Sequence, residues 1–132
     1  MLINLSNHPA YKEDKDGKRI YLWKEPQLKA AALYGEIRDM EFPNISPDLT
    51  TEDVYNLAEK YLNDCEKLIP FNEESAIHIT GEVTFCFYLI QMLLKKGYKC
   101  ISATSERNVI AGEDGEKVVR FDFKRFREYK FI

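Results

Sequence analysis

Short apolar segments alternate along the chain with longer segments of helical periodicity. The short segments are apolar or alternating and are bounded by polar turn residues, which is typical of strands. They cover residues 2–5, 36–42, 76–79 and 98–103. Two further segments, 108–110 and 118–123, flank a Gly-rich acidic turn and predict an antiparallel hairpin.

Helical signals fall between these strands. Residues 27–34 are rich in Ala and Leu, follow Pro26 and end at Gly35. After Thr50 and Thr51, apolar residues recur at three- and four-residue spacing as far as residue 68, and Pro70 ends the pattern. Residues 83–96 form a nearly continuous apolar run, which predicts a mostly buried helix.

The alternation of strands and helices predicts an α/β fold. It is Rossmann-like, with a mainly parallel sheet, helices on both faces and the antiparallel hairpin at the C-terminal edge. A length of 132 residues suits one domain, which we assign to residues 1–132. The charged segment 11–19 contains Asp16-Gly17, so it is expected to be an exposed excursion.

Composition narrows the class of protein. Apolar residues make up 45% and charged residues 31%, an ordinary globular balance. The three cysteines (Cys65, Cys86 and Cys100) lack CxxC spacing and lie in apolar segments, which predicts buried thiols. No signal peptide and no apolar run long enough to span a bilayer are evident, so we expect a soluble cytoplasmic protein with no membrane partner.

The net charge is −3, which argues against a duplex-DNA binder. Positive charge concentrates in residues 117–132. Such a basic segment can hold an anionic partner, but it can equally be the solvated face of an edge strand.

Three polar, hydroxyl-rich segments follow predicted strands, at 6–9, 80–84 and 104–107. In a parallel sheet the carboxyl ends of the strands meet at one edge, where ligands of such folds bind. We therefore expect a binding site there. Its candidate ligand-binding residues are Ser6, Asn7, Gly81, Glu82, Thr84, Thr104 and Ser105.

Residues 80–84 precede a helix N-terminus, whose free amides suit an anion, and Gly81 would allow close approach. Glu82 would repel a phosphate unless it points away. The alternative is that Glu82 complements the helix dipole while Thr80 caps the helix. Neither the P-loop pattern nor a dinucleotide fingerprint is present, so no cofactor is expected.

Two residues are candidates for catalysis. Arg107 can clamp a phosphate, or it can pair with Glu106 or Glu82. His8 can exchange a proton at neutral pH, or it can be structural. The other histidine, His78, lies within a predicted strand and is assigned to the core or a subunit interface, and no metal site is predicted.

Several segments together resemble the small stand-alone CRISPR-associated proteins of the CARF-like, Rossmann-like type, some of which act as ring nucleases. The segments that carry the resemblance are residues 2–9, Trp23, Gln27, 77–85, 100–107 and 121–129. Compared with that pattern, residues between Pro9 and Trp23 look like an insertion.

The resemblance implies a homodimer that binds a cyclic oligoadenylate or another small phosphorylated ligand at the strand-end edge. Some members of that type also cleave the ligand without a metal, by attack of a ribose 2′-hydroxyl on the adjacent phosphate, and the resemblance extends this expectation to the present chain. In this reading Asn7 and His8 orient ribose or phosphate, and Arg107 holds phosphate. The alternatives are a sensor of a small anion without turnover and a protein-interaction module of the same fold.

Overall fold

A computed structural model describes residues 1–70 and 73–132, and within them the predicted α/β fold is confirmed. The strands and helices run in the order β1 (Leu2–Ser6), β2 (Tyr11–Glu13), β3 (Arg19–Tyr21), α1 (Glu25–Ala32), β4 (Ile37–Glu41), α2 (Thr51–Leu68), β5 (Ala76–Ile79), α3 (Val83–Lys95), β6 (Lys99–Ala111) and β7 (Lys117–Glu128).

The main sheet has the strand order β4-β1-β5-β6-β7. Strands β4, β1, β5 and β6 are parallel, and β7 is antiparallel to β6. The chain leaves β1 toward β4 on one side and later returns to β5 on the other. The winding direction therefore reverses at β1, and α/β folds bind ligands at the carboxyl end of such a switch point.

Helices cover both faces of the sheet. Side chains of each strand alternate between the faces, so the apolar strands present apolar side chains on both sides and each side packs against helices. Ile3, Leu5, Ile77 and Ile79 pack in the core that α2 and α3 cover. Their neighbours Leu2, Ala76 and Ile101 pack with Trp23 and Ala31 on the α1 side. Helix α2 begins with a capping box, in which Thr50 and Asp53 accept hydrogen bonds from each other's backbone amides.

The charged segment after β1 is an excursion with its own structure. Strands β2 and β3 pair as a separate antiparallel hairpin, and Gly17 occupies its turn with a φ of 78°. The positive φ explains the Asp-Gly sequence at this position. The hairpin returns the chain to Trp23, which is buried on the α1 side.

The prediction of a loop at 104–107 and of a separate strand at 108–110 was wrong. Residues 99–111 form one continuous strand, and it pairs with β7 from Ile101↔Glu128 to Ala111↔Lys117, with a bulge beside Thr104. Only the first three residues of β6 pair with β5. The segment 102–111 therefore continues past the sheet as a two-stranded ribbon about 30 Å long.

All three cysteines are buried free thiols, as predicted. Burial raises the pKa of Cys65 and of Cys100 to about 12 and that of Cys86 to about 11, so these sulfurs stay protonated and unreactive at neutral pH. No helix of the described residues has the length and apolar character needed to cross a bilayer.

Candidate functional site: the carboxyl edge of the sheet

A buried polar network lies beneath the loop that follows β1. Asn4, Ser6 and His78 are polar, yet their exposed fractions are 1%, 6% and 3%. Parallel pairing places Asn4 directly beside His78. The Asn4 Oδ1 accepts hydrogen bonds from His78 Nδ1 at 2.8 Å and Ser6 Oγ at 3.0 Å. Buried polar groups are tolerated only when they are paired in this way.

The network fixes the backbone of the loop. The His8 carbonyl accepts hydrogen bonds from Asn4 Nδ2 at 3.0 Å and Trp23 Nε1 at 3.3 Å, and at 3.2 Å it shares the single Ser6 hydroxyl proton with Asn4 Oδ1. With its carbonyl held inward by three donors, the loop keeps the side chains of Asn7 and His8 exposed. Ser6, predicted to contact ligand, is buried and supports this loop through its hydroxyl.

Asp39 ties the same loop to β4. Its carboxylate accepts Asn4 Nδ2 at 2.8 Å, the Ala10 amide at 3.0 Å and the Tyr11 amide at 3.3 Å. Charge-assisted bonds of this kind are the stronger ones. Residues 7–9 are thus anchored at both ends, and their conformation exists before any ligand arrives.

His78 is confirmed as a core residue. Asn4 Nδ2 must face the Asp39 carboxylate, so Asn4 Oδ1 faces His78, and the His78 Nδ1 carries the proton. Burial, with a smaller effect from the nearby His8, lowers the pKa of His78 to about 4, so the imidazole is neutral. The rings of Trp23 and Phe126 meet it edge-on at 5.7 and 5.6 Å between centroids. Its Nε2 has no hydrogen-bond partner among the described residues.

Trp23 is therefore a packing residue of the α1 side, where its ring meets those of His78 and Phe126. Sequence reasoning missed the network itself. The available signal was a polar residue in the middle of each of two short apolar strands, Asn4 in β1 and His78 in β5.

The end of β5 is closed by the chain itself. The Glu82 carboxylate accepts the amides of Thr84 at 3.0 Å and Phe85 at 2.8 Å, so it caps α3. The Thr84 hydroxyl also donates to it at 2.7 Å. These bonds, led by the Phe85 amide, lower the pKa of Glu82. Glu82, and not Thr80, is the cap, and its carboxylate occupies the place where an anion was expected.

Gly81 lies against Phe42, the residue that follows β4. A Cβ at position 81 would come within 2.2 Å of the Phe42 ring. The ring also packs edge-on against Phe85, at 5.3 Å between centroids. The absence of a side chain at Gly81 thus lets Phe42 reach across the end of β1.

The predicted convergence of three loops is only partly found. The ends of β1 and β5 adjoin, since the Thr80 amide donates to the Leu5 carbonyl at 3.2 Å. Thr104, Ser105 and Arg107 instead lie on the ribbon. Arg107 is six residues beyond Ile101, so it stands about 20 Å along β6 from the level of His78. The reason is that β6 keeps pairing with β7 after β5 has ended.

The ribbon residues have partners of their own. The Thr104 hydroxyl exchanges hydrogen bonds with the backbone of Arg125, at 3.1 and 3.2 Å. Glu106 pairs with Lys124 at 2.8 Å and not with Arg107. Arg107 stands directly opposite Phe121 in the register, which places both on one face of the ribbon.

A cavity of about 310 Å³ opens between the ends of β1 and β4. It is lined by Ser6, Asn7, Pro9, Asp39, Glu41 and Phe42, among others. The cavity therefore combines the exposed amide of Asn7 with the carboxylates of Asp39 and Glu41 from β4. Within residues 1–70 and 73–132, no group of three or more His, Cys, Asp or Glu side chains is arranged to hold a metal ion.

Comparison with known proteins identifies a family. No curated protein and no solved structure matches the chain. The match to a family covers residues 1–127, which is nearly the whole chain. The protein therefore belongs to the family described as the Uncharacterized protein MJ1673 family.

Proposed function

We propose that this protein binds a nucleotide second messenger of the cyclic oligoadenylate class, in the cytoplasm, at the carboxyl edge of its sheet. The observation that carries the proposal is the Asn7–His8 loop, anchored on buried polar groups at the switch point of the sheet and beside an open cavity. The resemblance of the sequence to CARF-like proteins suggests the ligand class, and the geometry suggests the position.

The cavity suits a nucleoside. In many doubly wound folds a carboxylate accepts a ribose hydroxyl at the end of the second strand of the parallel sheet, which in this chain is β4. Glu41 ends β4 and lines the cavity. Asn7, on the opposite wall, supplies an amide that both donates and accepts, so it can bind a phosphate oxygen or a base edge.

The ribbon supplies the two groups that the cavity lacks. Arg107 is a bidentate donor for phosphate, and Phe121 opposite it is 65% exposed. A cation beside an aromatic ring is the combination that binds phosphate and stacks a base in single-stranded nucleotides. These pairings favour a ligand with several nucleotide units over inorganic phosphate.

His8 adds a means of cleavage. In the proposed reaction the ribose 2′-oxygen attacks the adjacent phosphorus and the bond from phosphorus to the 5′-oxygen breaks. The imidazole accepts the 2′-hydroxyl proton, and a proton is returned to the 5′-oxygen, which leaves a 2′,3′-cyclic phosphate and a 5′-hydroxyl. Arg107 can stabilise the charge on the phosphoryl oxygens only from a second protomer, because along its own chain it lies about 20 Å from the level of His78.

The test is calorimetry with cyclic tetra- and hexa-adenylate in the presence of EDTA, followed by chromatography of the ligand. Binding with product formation supports the nuclease, and binding without product supports a sensor. Heat from neither ligand contradicts the proposed function.

Variants locate the site. Asn7→Ala is expected to weaken binding about tenfold, because a hydrogen bond is worth about 1–1.5 kcal/mol. Arg107→Ala is expected to weaken it by about 1.5–3 kcal/mol, the range of charge-assisted bonds. Asn56→Ala, on the exposed face of α2, is the matched control. Equal affinity of Asn7→Ala and Asn56→Ala would remove the β1 loop from the site.

A further inference from the structure

The chain has two apolar surfaces that no element of residues 1–70 and 73–132 covers. The first, which we call the ribbon face, contains Val109, Val119 and Phe121, which successive cross-strand pairs place on one side. The second, the α3 groove, is lined by Val83, Phe87, Ile90, Leu94 and Phe131. Contiguous exposed apolar patches of this kind mark interaction sites.

Most of the ribbon has no third strand beside it. Beyond residue 101, strand β6 is paired on one side only, with β7. Two-stranded hairpins alone in water are marginally stable at best. Val109 and Val119 are nevertheless 52% and 43% exposed. A partner that covers this face would stabilise the ribbon.

The α3 groove is a site of similar length. It has a volume of about 540 Å³, and Val83 and Phe87 on its wall are 77% and 59% exposed. Val83 and Leu94 are eleven residues apart on the helix, which is about 16 Å. On the ribbon, the distance from Arg107 to the end of β6 at Ala111 is about 13 Å.

We propose that the occupant of the α3 groove is the ribbon of a second copy of this chain, so that two protomers exchange ribbons. Charge fixes the direction. The turn at the ribbon tip carries Glu113, Asp114 and Glu116, and the C-terminal end of α3 carries the exposed Lys95 beside Lys96, which also pairs with Glu66 at 3.2 Å. With the acidic tip at this basic end, Val109 and Val119 cover Phe87 and Ile90. An isologous exchange covers both apolar surfaces in both protomers.

This direction has a consequence for the binding site, which rests on the proposed function. With the tip at Lys95, the pair Arg107 and Phe121 reaches the other end of the groove. That end is formed by Thr80 and Gly81 at the carboxyl edge of β5. Arg107, which stands far from Asn7 along its own chain, would therefore serve the site of the partner protomer.

The dimer is tested without any ligand. Light scattering during size exclusion should give the mass of a dimer for the native chain and of a monomer for Phe87→Glu and for Val119→Glu. Leu33→Glu, at an exposed position on the α1 side, should remain a dimer, and circular dichroism checks that each variant is folded. A monomeric native chain overturns the proposal, as does a dimer that Phe87→Glu leaves intact.

Crosslinking tests the exchange itself. In a Cys86→Ala background, one chain carries Val119→Cys and a second carries Phe87→Cys. Mixing and mild oxidation should give a covalent dimer of the two chains. Replacing Phe87→Cys by Leu33→Cys should abolish it. Equal crosslinking at the two positions contradicts the placement of the ribbon.

Mixed dimers test the role of Arg107. Neither Arg107→Ala nor Asn7→Ala alone should bind cyclic tetra-adenylate as tightly as the native chain. Mixing equal amounts and allowing exchange restores one intact site in each mixed dimer, so about a quarter of all sites should recover. No recovery, with mixed dimers verified by mass, shows that Arg107 does not act across the interface, whereas binding as tight as that of the native chain by both single variants contradicts the proposed function and leaves the dimer untouched.

Discussion

The ends of β1 and β5 lie side by side at the carboxyl edge and yet are built in opposite ways. Beneath the β1 end, Asn4, Ser6 and His78 form a buried hydrogen-bonded network that holds the Asn7–His8 loop from below. At the β5 end, Glu82 satisfies the free amides of α3 with its own carboxylate, and Gly81 is packed under Phe42.

The difference indicates which end is available to a ligand. The polar atoms of the β1 end point inward from the loop, and the side chains of Asn7 and His8 are left exposed. The amides of the β5 end are already bonded within the chain, so an anion there would have to displace a carboxylate. A helix N-terminus is an anion site only while its amides remain free.

The largest effect is expected from the pH dependence that His78 confers on the network. Its pKa is about 4 in the folded protein against 6.5 for an ordinary histidine, so the unfolded chain binds the extra proton between these values. The contribution of neutral His78 to the free energy of unfolding should therefore be complete above pH 6.5. The free energy of unfolding should fall by about 3 kcal/mol as the pH drops from there to 4.

Urea unfolding at a series of pH values measures this dependence. The His78→Asn variant, which does not titrate, provides the reference for all other groups. If the variant and the native chain lose stability in parallel over that range, His78 is not buried in its neutral form.

A smaller effect is expected from adding a side chain at Gly81, where the Phe42 ring packs on the backbone. Gly81→Ala places a Cβ into the Phe42 ring and should destabilise the fold by about 2 kcal/mol, the ordinary effect of overpacking. Replacing Phe42 by Leu in the same chain should relieve part of that loss. Gly97→Ala is the control, since open space surrounds a Cβ there and only its φ of 88° opposes the change. Thermal unfolding of the four chains compares them, and equal losses at positions 81 and 97 would exclude the contact.

The smallest effect is expected at the α3 cap. Glu82→Ala removes the acceptor of two amides and should lower the free energy of unfolding by about 1 kcal/mol. Glu82→Ser restores a cap without the charge and should recover most of it. With the carboxylate gone, sulfate should raise the melting temperature of Glu82→Ala more than that of the native chain. No difference in the response to sulfate would mean that the carboxylate does not block an anion site.

Local signals in the sequence were sufficient for most of the fold. The three- and four-residue spacing after Thr50 predicted α2, and the apolar run from Val83 predicted α3, because both depend on contacts within a few residues. The alternation of these helices with short apolar strands predicted a mainly parallel sheet, which the strand pairing confirms.

The same reasoning failed where strand pairing is long-range. Residues 104–107 are polar and hydroxyl-rich, which is typical of a loop, but their backbone bonds go to residues 121–125. A strand whose partner is a distant segment can be polar on one face, since only the cross-strand register decides what each side chain meets.

By itself the sequence determined the three helices, the mainly parallel sheet and the buried thiols, because these depend on periodicity, caps and apolar content. Only the tertiary structure decided that Asn4 and His78 meet, that Glu82 closes its own helix end and that Arg107 leaves the edge on a ribbon. Each of these depends on the register between segments far apart in the chain, and the register is set by packing over the whole sheet.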